Sequence, residues 1–67
     1  MKIWRVKEII KLLEADGWFL YRHKGTSHRK FKHLVKKGSV TVPGNSNDEL
    51  APKTATSILA QAGLIKN

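Results

Sequence analysis

The sequence contains no cysteine. That absence excludes disulfides, thiolate zinc sites and a cysteine nucleophile, and it suits a reducing compartment. It also removes the usual staples of a small scaffold. At 67 residues the chain is long enough for one domain, taken as residues 1–67. A domain of this size buries only about 60% of the surface its unfolded chain exposes. Modest stability follows, with a partner chain as one source of help. No run of about 18 apolar residues occurs. The amino-terminal "MKIWRVKEII" has neither a long apolar core nor a small-residue cleavage site. The expectation is a soluble, unsecreted, cytoplasmic protein that spans no membrane.

Acidic residues are scarce and unevenly placed. Five Asp and Glu stand against thirteen Lys and Arg, a net charge of +8, and positions 17–47 hold no acid at all. That acid-free middle carries Arg22, Lys24, Arg29, Lys30, Lys32, Lys36, Lys37 and all three histidines. A charge run is ordinarily a solvated face with both signs mixed. Exclusion of one sign over so long a stretch points instead to a polyanionic partner, nucleic acid ahead of anionic membrane.

What is present reads as helix, three strands, helix. Val6, Ile9, Ile10 and Leu13 recur at helical spacing, widened by Leu12, and the pattern stops at "ADG", where Gly17 suits a position past a helix end. A first helix from about Ile3 or Trp4 to Ala15 is expected. "WFLYRHK" is aromatic and β-prone, "KGTS" a turn, and "SHRKFKHLV" a second strand. In that strand alternation sets His28, Lys30 and Lys32 on one side. Arg29, Phe31, His33 and Val35 take the other, with Phe31 and Val35 toward a core. "SVTVPG" makes a third strand with Val40 and Val42 inward. Pro52 then opens a second helix whose stripe is Ala55, Ile58, Leu59 and Ala62, ended near Gly63. The fold class is α+β, a three-stranded antiparallel sheet with two helices packed on one face. His28 falls on the open face.

The stretch "HKGTSHRKFKH" allows several chemistries. Three histidines five residues apart alternate between strand faces, with no carboxylate or thiolate nearby and cations all round, which argues against a metal site and leaves no cofactor to expect. Ser27 beside His28 has no local orienting acid, and adjacent strand side chains point apart, which argues against a Ser-His-Asp triad. "GTSHRK" has a lone glycine and no following helix, so it is no phosphate loop. Cations on strands rather than on a recognition helix argue against a DNA-binding helix-turn-helix. Metal-free cleavage of a phosphodiester remains. A histidine can move the protons near neutral pH, and Lys24, Arg29, Lys30 or Lys32 can meet the charge that builds on phosphorus. A non-catalytic RNA-binding module would need the same basic face.

The order and spacing of "EIIKLLEADGWFL", "KGTSHRKFKH", "KKGSVTVPG" and "ELAPKTATSILAQAGL" resemble the HicA toxin family of HicA–HicB toxin–antitoxin modules over nearly the whole chain. The resemblance implies a fold like a double-stranded-RNA-binding domain, in the order α-β-β-β-α. It implies a metal-independent endoribonuclease, an mRNA interferase acting in stress response, with one key histidine that falls on His28. Gly25 and Ser27 match the motif's turn. Lys24, Arg29, Lys30, Lys32, Lys36 and Lys37 are the expected RNA contacts, and a HicB-like antitoxin covering the His28 face is the expected protein partner. Two positions depart from the family pattern. Thr26 stands between Gly25 and Ser27, lengthening the expected turn, and Leu34 follows His33 where proline is common.

Overall fold

The computed structural model describes residues 3–24 and 28–65 and, at Lys24, the backbone alone. Gly25, Thr26 and Ser27, where the sequence places a turn, lie outside the described residues. The elements are β1 (Trp4–Arg5), α1 (Val6–Ala15), β2 (Trp18–Lys24), β3 (His28–His33), β4 (Ser39–Pro43), β5 (Glu49–Leu50) and α2 (Pro52–Gln61). β2, β3 and β4 form an antiparallel sheet with β3 in the centre. This is the expected α+β arrangement, like that of a double-stranded-RNA-binding domain, with one addition. Trp4 and Arg5 pair antiparallel with Leu50 and Glu49 as a separate two-stranded ribbon, so α1 starts at Val6 rather than at Ile3 or Trp4.

One face of the sheet carries the core. Phe31, Val40, Val42 and Trp18 pack with Val6, Ile9 and Leu13 of α1, Leu50 of β5, and Ala55, Ile58, Leu59 and Ala62 around α2. α1 packs against β2 and β4, and α2 against β4. Burying a side chain such as Phe31, Leu13 or Ile9 is worth about 1.5–3 kcal/mol each, so a small set of residues supplies most of the drive to fold. Leu20 stands opposite Phe31 on β2 yet is 46% exposed. β2 is an edge strand, and the helices leave part of it uncovered.

The helix ends are tied by specific bonds. The Arg5 N–H donates to Glu8 Oε1 at 2.8 Å, while the first amides of α1, Val6 and Lys7, donate to the Asp48 and Ser46 carbonyls at 3.0 Å each. Groups that a helix start leaves unpartnered are thus satisfied by the loop between β4 and β5. At the other end of α1, Gly17 has φ +102°, and a Cβ there would lie 2.8 Å from His33 Nε2. Backbone conformation and close approach both require glycine at that position.

The second strand ends earlier than its composition suggests. Val35, expected in the core, is 85% exposed, and Leu34 is 89% exposed. The reason lies in His33, whose Nδ1 accepts the N–H groups of Val35 and Lys36 at 3.0 Å each. Those bonds turn the chain out of the sheet immediately after β3. Among the described residues no helix is long and apolar enough to cross a membrane.

Candidate nucleic-acid interface

The open face is built on β3. With Phe31 held in the core, period-two alternation sends His28, Lys30 and Lys32 to the opposite side, and all three are exposed. Residues directly opposite in an antiparallel pair share a face, so the registers fill in the surface. Pro43 flanks His28 on one side and the Lys24 backbone pairs with it on the other, Arg22 and Thr41 flank Lys30, and Phe19 and Ser39 flank Lys32. Thr41 therefore lies near His28, whereas Ser39 sits beside Lys32 at the far end of the strand.

Arg22 reaches this face through an irregularity. The β2–β3 register shifts between Leu20 and Arg22, leaving Tyr21 as an extra residue, in the manner of a β-bulge. Strict alternation from the buried Trp18 would turn Arg22 and Lys24 toward the helices and His23 away from them. The bulge reverses this: His23 pairs with Arg29 on the helix side, and Arg22 pairs with Lys30 on the open side. Tyr21 and Phe19 are both 42% exposed, and Lys32 Nζ lies 4.8 Å from the centroid of the Tyr21 ring. The open face thus combines cations with exposed aromatic rings.

Two cations expected on the interface have protein partners instead. Arg29 lies on the helix side of β3, and its guanidinium donates to the Gly44 carbonyl at 3.3 Å and to Ser46 Oγ at 3.1 Å. Lys36 Nζ makes an ion pair with Asp16 and donates to the Ala62 carbonyl at 3.0 Å. Lys36 so joins the end of α1 to the C-terminal end of α2. The Lys36 ammonium hydrogen-bonded to Asp16 holds that carboxyl below its usual range; Trp18 Nε1–H acts in the same direction, and partial desolvation opposes them. Lys37 is exposed beyond β3.

The three histidines separate accordingly. His33 belongs to the frame: Nε2 meets the Asp16 carbonyl at 2.7 Å, and its ring stands edge-on to Trp18 with centroids 5.2 Å apart. His23 is exposed on the helix side of the sheet. Only His28 shares its face with Lys30 and Lys32. Among the described residues no three His, Asp or Glu side chains come together as a metal site would require.

Where α2 passes along β4, an edge strand of the sheet, His28 also borders a groove of about 420 Å³, lined on the sheet side by Thr41 and Pro43 and on the helix side by Lys53, Thr54, Ser57, Ile58 and Gln61. The sequence gives little sign of this neighbourhood. Lys53, Ser57 and Gln61 do recur at helical spacing, but nothing local says that α2 runs beside His28.

The family model described as HicA toxin of bacterial toxin–antitoxin matches residues 6–64. No curated protein matches the chain. The family match begins with the first residue of α1 and ends past α2, taking in the open face, the His33 frame and the groove. The chain belongs to the HicA toxin family, toxins of bacterial toxin–antitoxin systems.

Proposed function

We propose that this toxin is a metal-independent endoribonuclease acting on mRNA in the cytoplasm, with His28 as the general acid or base. The observation that carries this reading is the placement of His28 at the head of the exposed row His28, Lys30, Lys32, on the sheet face that the helices leave open. Family membership supports it. Cleavage without a metal requires a proton to leave a 2′-hydroxyl as its oxygen attacks the neighbouring phosphorus, and a proton to reach the departing 5′-oxygen. An imidazole suits either step near neutral pH. The products are a 2′,3′-cyclic phosphate and a free 5′-hydroxyl.

Lys30 lies two residues along the strand from His28, on the order of 7 Å, and Arg22 stands across from it. Cations held at that range stabilise charge on the phosphorane without reorganising. Lys32 and the exposed Lys37 extend the track for the RNA backbone, and the side chain of Lys24, the other expected contact, lies outside the described residues. Arg29 and Lys36 serve the fold in this reading, since their donors are engaged by Gly44, Ser46, Asp16 and Ala62. Toxins of this class are paired with an antitoxin. A HicB-like antitoxin inhibits by covering His28, and acidic groups on it complement the basic face.

The chemistry is tested by incubating the protein with an RNA and the matched DNA in the presence of a chelator. The expected result is loss of the RNA alone, leaving 2′,3′-cyclic phosphate ends. RNA that stays intact while being retarded in a gel would contradict the reading and leave a non-catalytic RNA-binding module.

A further inference from the structure

The groove beside His28 has two unlike walls. On the sheet side are His28, Thr41 and Pro43; on the other is α2. Lys53, Ser57 and Gln61 follow one another at four-residue intervals, and Thr54 and Ile58 run parallel to them, so a single stripe of the helix faces the groove. Ala55, Leu59 and Ala62 make the adjoining stripe and are buried in the core. α2 therefore has an apolar face that holds it in place and a polar face that it presents next to His28.

The lining has the composition of a site that reads a polar, flat ligand. Pro43 offers apolar surface, and Ile58 lines the groove from the core, where it is buried. Thr41, Thr54 and Ser57 bring hydroxyls, Gln61 an amide, and Lys53 a cation, with no acid among them. Gln61 Nε2–H donates to Ser57 Oγ at 3.3 Å, which orients the amide and couples the two side chains. Hydroxyl and amide together supply both donors and acceptors, as a base edge requires. A volume of about 420 Å³ lies in the range of roughly 300–1,000 Å³ typical of small-ligand sites.

We infer that this groove is a ribonucleotide subsite: it receives the nucleotide beside the phosphate at His28, with Ser57 and Gln61 reading the base edge and Lys53 meeting the adjoining phosphate. The inference deepens the ribonuclease reading and rests on it. It also names the substrate class. A base can enter the groove only when it is unstacked and unpaired, so the substrate is single-stranded RNA, recognised through splayed bases rather than through the shape of a duplex. α2 becomes the element that sets base preference, while β3 supplies the chemistry.

Two measurements on the full chain test this. In the first, amide chemical shifts are followed while each of the four nucleoside 3′-monophosphates, or inorganic phosphate, is added. The expected result is movement at Thr54, Ser57 and Gln61 with at least one nucleotide but not with phosphate, and an affinity about tenfold weaker in Gln61→Ala, the loss of one good base contact. Shifts confined to Lys30 and Lys32, with α2 silent, would overturn the inference. In the second, the bases flanking the cuts are sequenced for wild type, Ser57→Ala and Gln61→Ala. An altered preference supports the subsite. Cutting by both variants with wild-type preference overturns it and leaves the ribonuclease reading standing. Should the wild type cut nothing, the ribonuclease reading falls, and the titration alone decides whether the groove takes a nucleotide.

Discussion

His33 and Asp16 show how a polar pair can serve the frame beside an exposed basic surface. His33 Nδ1 accepts two backbone N–H groups, which assigns the ring proton to Nε2, where the Asp16 carbonyl accepts it. The Asp16 carboxylate in turn takes Lys36 Nζ and Trp18 Nε1–H. These bonds hold the Asp16 carboxyl below its usual range, and the sign of the consequence follows. A carboxylate whose folded-state pKa is depressed adds stability that is present above its unfolded-state pKa and is lost as pH falls through the folded-state value. Asp16→Asn should therefore lower the melting temperature at neutral pH and flatten its decline on acidification. Melting curves from neutral pH down to about pH 2 measure both. A variant as stable as wild type at neutral pH, with the same acid decline, would show that the contact contributes nothing.

Among the elements, β3 separates cations by face, and the separation is testable. Lys30 is on the open side; Arg29, its neighbour in sequence, is on the helix side and bonded to the loop after β4. Lys30→Ala should reduce the slope of log affinity for RNA against log salt by about 0.7–1, the share of one phosphate contact, with little change in melting temperature. Arg29→Ala should leave the slope alone and destabilise, because the loop that caps α1 loses its anchor. The reverse pattern would contradict the face assignment. Alternation made this much of β3 legible in the sequence, and the core stripes of α1 and α2 were legible from their spacing. The bulge at Tyr21 was not, because a single extra residue leaves no periodic trace. As a result Arg22 could not be placed. The ribbon of β1 and β5 escaped for a similar reason, since two-residue strands are too short to show a pattern. Val35 was misplaced because a side chain, His33, overrode the local preference by capturing backbone amides.

For the whole molecule, the fold separates two populations of charge. Arg5, Arg29 and Lys36 are engaged with Glu49, the loop after β4 and Asp16, so part of the net charge of +8 knits the chain. Arg22, Lys30 and Lys32 on the open face and Lys53 on α2 are exposed instead. With so small a core, overall stability is of the order of 0.05–0.15 kcal/mol per residue, and these polar ties matter to it. The exposed position of His28 on the open face, beside Lys30 and Lys32, was legible from strand alternation. The groove was not, because it joins α2 to β3 and β4 across residues far apart in sequence. The most direct measurement of the central claim is the single-turnover cleavage rate of a single-stranded RNA by His28→Ala, taken alongside RNA affinity and melting temperature. The account predicts a rate at least about 100-fold slower, the contribution of one general acid or base, with affinity and melting temperature close to wild type. Cleavage at the wild-type rate by the purified variant would contradict it.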